Sequence, residues 1–122
     1  MNRFMQKAVK EAERSVAKGW GGPFAAVIVK KNNNGEPEIV ACGHNSVVKN
    51  NDPTQHGEMV VITKAGKKLK TFDLTGCDLY TTSEPCPMCL AAAMWANIDN
   101  IYYGCTIKDN ESIGFRDKKF IF

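Results

Sequence analysis

Apolar positions fall at helical spacing over residues 3–18, where Met5, Ala8, Val9, Ala12 and Val16 recur every three to four residues. Lys7, Lys10, Glu11 and Arg14 occupy the other side, so the pattern predicts an amphipathic helix stopped by Gly19. The period then changes. Residues 24–29 are a continuous apolar run between Gly21-Gly22-Pro23 and Lys30-Lys31, the mark of a buried strand. Asn32-Asn33-Asn34-Gly35 carries turn chemistry, and residues 38–42 return as a second strand, which predicts an antiparallel hairpin. Residues 43–51 read as a polar loop. Asp52, followed by Pro53 and with Gln55 three positions on, predicts a helix cap, with Thr54 as the alternative. From residue 56 to about residue 70, Met59, Ile62, Gly66 and Leu69 share one face, which places His56 in a first helical turn. A third strand is expected over 78–82, a third helix over 87–96 and a fourth strand over 100–103, with strand, helix and strand forming a parallel crossover.

Alternation of helices and strands makes the class α/β, with helices on both faces of one sheet. At 122 residues the chain can bury one modest core, and 43% apolar with 24% charged residues is a globular balance. No apolar run is long enough to span a bilayer, and Met1-Asn2-Arg3-Phe4 leads into a charged segment unlike a signal peptide. Five cysteines, an odd number without a small secreted framework, point to a reducing, cytoplasmic setting. The net charge of +3 is mild. Lys64, Lys67, Lys68 and Lys70 cluster, as do Lys118 and Lys119, but as solvated faces they argue against nucleic acid as partner.

The chemistry concentrates in Ser83-Glu84-Pro85-Cys86-Pro87-Met88-Cys89 and in His56-Gly57-Glu58. The cysteine motif follows a strand and opens an Ala-rich helix, with Pro87 suited to the first turn. Both sulfurs then sit near a helix N-terminus, whose positive end favours thiolates. His56 would complete a three-ligand zinc site with an open fourth position. Glu58 stands two residues beyond His56, placed as a proton shuttle beside the metal. Such a site suits hydrolytic deamination: zinc lowers the pKa of water to about 7, and a neighbouring carboxylate moves protons to the ring and to the leaving amine. The spacing alone leaves alternatives open. Cys86 and Cys89 could form a redox dithiol, or Cys42, Cys77, Cys105 or His44 could supply a fourth ligand to a closed structural site. Glu58 could be a solvated helix carboxylate.

His-x-Glu with Pro-Cys-x-x-Cys is the known signature of the zinc nucleobase deaminases. The chain resembles the cytidine deaminase superfamily, and within it the small bacterial-type guanine deaminases, over nearly its whole length. The zinc motifs alone also fit tRNA adenosine deaminases and fungal-type cytosine deaminases, and glycine at 57 resembles the cytosine enzymes. Gly21-Gly22-Pro23-Phe24, Asn50-Asn51-Asp52-Pro53-Thr54, Met94-Trp95-Ala96 and Gly114-Phe115-Arg116-Asp117 are similar to guanine deaminase elements, with Met94 replacing the usual aromatic.

The resemblance implies a single three-layer α/β/α domain. Its central mixed sheet would carry an N-terminal antiparallel hairpin and parallel later strands. Residues 1–105 would form the zinc-dependent deaminase core and 106–122 a C-terminal tail exchanged between subunits. It implies Zn2+ on His56, Cys86 and Cys89, and Glu58 as the shuttle. Asn45 would donate to the ring oxygen and Phe24 pack on the base. Trp95 would line the pocket, and Asp117 would grip the purine and help move protons. Read only as residues, Phe24 could be core, Asn45 a loop cap, Asp117 a surface acid and Trp95 structural. The implied reaction is conversion of guanine, a small-molecule substrate, to xanthine and ammonia. Cytosine, adenine and tRNA adenosine are alternative substrates, and a non-catalytic zinc-binding assembly domain is the alternative of another class. Family members continue past the aromatic stretch that ends here at Phe120-Ile121-Phe122, with a segment that helps close the site. Those three side chains need cover, worth about 1.5–3 kcal/mol each, which predicts a homodimer with the tail packed on the neighbouring chain.

Overall fold

The uninterrupted apolar run near residue 24 becomes the centre of the sheet, in a computed structural model that describes residues 2–105. The expectations for Asp117 and for Phe120, Ile121 and Phe122 lie outside the described residues. In chain order the elements are α1 (Arg3–Ala17), β1 (Ala25–Lys31), β2 (Pro37–His44), α2 (Val47–Asn50), α3 (Gly57–Leu69), β3 (Cys77–Ser83), α4 (Pro87–Trp95) and β4 (Asn100–Cys105). The strands form one sheet in the order β2-β1-β3-β4. β1 is antiparallel to both β2 and β3, and β3 is parallel to β4.

β1 lacks an alternating pattern because both its faces are covered. Val27 and Val29 meet Phe4 and Ala8 of α1 on one side. Ala26 and Ile28 meet Val61 and Ala65 of α3, with Leu79 and Ala96, on the other. The three layers expected from the alternation of elements are therefore present. Asn2 caps α1, its Oδ1 accepting from Phe4 N–H at 2.7 Å and Met5 N–H at 3.3 Å. Gly19, at φ +69°, follows the helix end as expected. At the β1–β2 turn, Asn32 Oδ1 accepts from Asn34 N–H and Glu36 N–H, and Gly35 takes φ +78°. Pairing jumps from Ile28↔Ala41 to Val29↔Ile39, so Val40 is a bulge on an edge strand.

Three expectations need correction. First, the buried face of α1 is rotated from the apolar stripe: Phe4, Ala8, Glu11, Ala12 and Ser15 are buried while Val16 is exposed. Glu11 and Ser15 can be buried because each has a polar partner. His44 Nδ1 lies 2.9 Å from Glu11 Oε1, and Ser15 Oγ donates to backbone carbonyls. Second, α3 does not start at Asp52, Pro53 or Thr54. Asp52 is occupied by a local turn, its Oδ1 accepting from Thr54 N–H at 2.8 Å and Thr54 Oγ1 at 2.7 Å, and His56 is the N-cap. The helix then buries a stripe centred on Glu58, Val61 and Ala65, one step from the expected face, with Ile62 and Leu69 packed at its margin. Third, the 43–51 loop is partly regular: β2 runs on to His44 and a one-turn helix spans Val47–Asn50.

Candidate metal centre

Two helices begin at one point. α3 has His56 as N-cap and α4 has Cys86, with Pro87 in the first turn as its fixed φ favours. Neither side chain makes a capping hydrogen bond. They turn toward each other instead. His56 Nδ1 lies 3.5 Å from Cys86 Sγ and 3.6 Å from Cys89 Sγ. The three ligand atoms are all within 4.8 Å of one another. Zinc–sulfur bonds of about 2.3 Å and zinc–nitrogen bonds of about 2.0–2.1 Å at tetrahedral angles put sulfur and nitrogen about 3.6 Å apart. The donor set therefore fits a tetrahedral zinc ion, with Nδ1 as the histidine donor.

The electrostatics agree with that use. Cys86 is drawn down to about 4, chiefly by its hydrogen bond with Cys89 and then by His56. Cys89 holds the shared proton and is pushed up, first by Cys86 and then by burial. The pair is thus biased toward giving up a proton at Cys86, and two helix N-termini begin at this point with positive ends that favour a thiolate.

The described candidates for a fourth ligand are elsewhere. Cys77 is in the core packed with Ile28 and Leu79. Cys42 packs on the α1 face of the sheet. His44 is paired with Glu11 and stacked on Trp20 with ring centroids 4.5 Å apart. The Cys105 side chain lies outside the described set. Among the described residues no other such cluster of His, Cys, Asp or Glu occurs.

Glu58 is no solvated carboxylate. It is 6% exposed, and burial pushes it up to about 7 against hydrogen bonds from its own N–H and Cys89 and the charge of His56. It shares a pocket of about 90 Å³ with Phe24, Asn45, His56, Ser83, Glu84 and Cys86. Phe24 and Asn45 arrive together because Asn45 N–H donates to Phe24 C=O at 2.8 Å, extending the β1–β2 pairing by one step beyond Ala25↔His44. Gly57 lets the start of α3 press on β1, since a Cβ there would stand 3.0 Å from Ala25 Cα. Trp95 is not brought to this pocket. It is 85% exposed, beside Phe72 and Met94, and is not in the lining of this pocket in its own chain. Asp117 lies outside the described residues. Sequence reasoning assigned no role to Ser83 and Glu84, although they adjoin the cysteine motif, and it missed Ser15 beside Asn45.

The cytidine and deoxycytidylate deaminase zinc-binding region matches residues 1–105. The chain is 44% identical over 119 residues to the guanine deaminase of Bacillus subtilis, covering 98% of this chain and 72% of that one. The X-ray structure of that enzyme superposes with a TM-score of 0.89, covering 97% of this chain and 73% of the other. A structure of guanine deaminase from Nitrosomonas europaea is 30% identical at TM-score 0.84, covering 93% of this chain and 63% of that one. The tRNA-specific adenosine deaminase of Aquifex aeolicus is 39% identical over 110 residues, covering 90% of this chain and 69% of the relative.

Proposed function

The chain belongs to the cytidine and deoxycytidylate deaminase family of zinc enzymes, and from that premise we propose that it hydrolyses guanine to xanthine and ammonia. One observation carries the catalytic reading: the buried carboxyl of Glu58 opens on the same pocket as a three-ligand zinc set. Zinc held by His56, Cys86 and Cys89 supplies an activated water nucleophile at neutral pH. Glu58, beside those ligands, would take a proton from the water that adds to the ring carbon bearing the amine. It would pass that proton to the ring nitrogen, then take the second proton from the hydroxyl of the tetrahedral adduct and deliver it to the amine, which leaves as ammonia.

Asn45 donates to the base oxygen, and Phe24 offers an apolar wall to its flat face. Asp117, in the 106–122 tail, grips the purine edge. The choice of guanine rests on the 44% identity to the Bacillus enzyme and on the Gly-Gly-Pro-Phe approach to β1. The core comprises residues 1–105, coincident with the matched family region, and the tail packs on a second copy in a homodimer. A thiolate-bearing centre suits the reducing cytoplasm, where the product enters purine catabolism. No described helix is long and apolar enough to cross a membrane.

Ammonia release from guanine by the zinc-loaded chain tests the assignment. Turnover of adenosine in a tRNA anticodon stem-loop, with guanine inert, would move it to the tRNA-specific relatives.

A further inference from the structure

We propose that Ser15 and Gly21 are positioning residues, which fix the end of the Asn45 amide that meets the base. The inference rests on the reading of Asn45 as a substrate contact and adds what holds it. Asn45 Oδ1 accepts from Val47 N–H at 3.1 Å, so the oxygen end is engaged by the loop and the amide nitrogen is left for the pocket that Asn45 lines. Its backbone is tied on both sides. The N–H donates to Phe24 C=O at 2.8 Å, and the C=O lies 3.3 Å from the hydroxyl of Ser15. That hydroxyl is fully buried and also lies 3.2 Å from Gly22 C=O, so it bridges the carbonyls of the two segments that frame the pocket wall.

Gly21 completes the clamp. A Cβ at this position would overlap Asn45 Oδ1 and stand 2.7 Å from Asn45 O and 3.1 Å from Asn45 Cγ. Gly21 is not among the positive-φ glycines, so the backbone admits alanine and what glycine provides is space. Crowding the oxygen end would break its bond with Val47 and turn the amide away. Held as it is, Asn45 offers a donor, and a base must answer with an acceptor, a carbonyl oxygen or a ring-nitrogen lone pair. This makes the loop after α1, remote in sequence from the zinc motifs, a determinant of which base fits.

The test is a pair of double-mutant cycles on the zinc-loaded full chain, Gly21→Ala and Ser15→Ala each combined with Asn45→Ala, read as kcat/KM for guanine with zinc content checked. Asn45→Ala is expected to cost about tenfold or more, the loss of one well-placed hydrogen bond. Gly21→Ala should cost about as much, Ser15→Ala about threefold, and neither should add to the loss in the Asn45→Ala background. Losses that multiply would show that the residues act independently of Asn45 and would overturn the proposal. If Gly21→Ala does not fold, the Ser15 cycle decides alone. Side-chain amide NMR of Asn45 gives a readout free of turnover: both variants should displace its resonance pair, and an unmoved pair overturns the clamp even where the enzyme is active. An active enzyme untouched by Asn45→Ala would remove the substrate contact itself, and this inference with it.

Discussion

Removing zinc should expose the electrostatic cost of Glu58 as a pH-dependent loss of stability. The carboxyl is raised from an ordinary 4.5 to about 7, with burial as the chief cause. The folded protein therefore binds the proton more tightly than the unfolded chain does. Stability is full below pH 4.5 and falls as pH rises through the interval from 4.5 to 7. The difference is about 2.5 pKa units, or about 3 kcal/mol at 1.36 kcal/mol per unit. Cys86, drawn down to about 4, works in the opposite sense, adding stability as pH rises. The quantity to measure is therefore the parent minus Glu58→Gln, in which the cysteine contribution largely cancels. Urea unfolding of chelator-treated protein at pH 5, 6, 7 and 8 supplies it. Relative to the glutamine variant, the metal-free parent should lose about 2.5 kcal/mol between pH 5 and 8, since part of the loss already falls between 4.5 and 5. Zinc should shrink that loss, since its charge favours the carboxylate. Parallel pH profiles for parent and variant would refute the claim that the buried site holds Glu58 protonated near neutrality.

The other predictions concern the metal, the shuttle and the assembly. Glu58→Gln should retain zinc by elemental analysis while losing about 10²–10⁴-fold in kcat, the usual share of a general acid–base group. Cys89→Ser should bring zinc content well below one ion per chain and abolish turnover, because it removes a thiolate from a set with three ligands. Sedimentation at micromolar concentration should give a homodimer, and deletion of residues 106–122 should shift it toward monomer; a monodisperse parent monomer would count against tail exchange.

Much of the fold was legible because each strand and helix carried local punctuation. Lys30-Lys31 and Asn-Gly bounded the hairpin, and Pro87 after Cys86 set the start of α4. The metal set was legible for a chemical reason, since few other arrangements use a distant His-x-Glu with Cys-x-x-Cys. The differences at Glu11 and Ser15 share one physical origin. Hydrophobic periodicity cannot foresee a polar side chain buried against a partner distant in sequence. Glu11 was read as solvent-facing because His44, its partner, is 33 residues away. Ser15 was passed over because its acceptor is Asn45. The start of α3 was misplaced because Asp52, a good cap by type, spends its oxygen on Thr54, whereas His56 occupies the cap position with its ring on the cysteines. The expectation for Trp95 came from resemblance alone, and in its own chain the side chain is exposed and not in the pocket lining.

The central claim is that a zinc ion on His56, Cys86 and Cys89, with Glu58 beside it, deaminates guanine. The most direct measurement is ammonia release by the full chain, loaded with one zinc, from free guanine, cytosine and adenine and from a tRNA anticodon stem-loop. Stoichiometric ammonia and xanthine from guanine, abolished by chelation and restored by zinc, is the predicted result. Zinc bound at full occupancy with no ammonia from any of the four substrates would contradict it and leave the domain as a non-catalytic zinc scaffold.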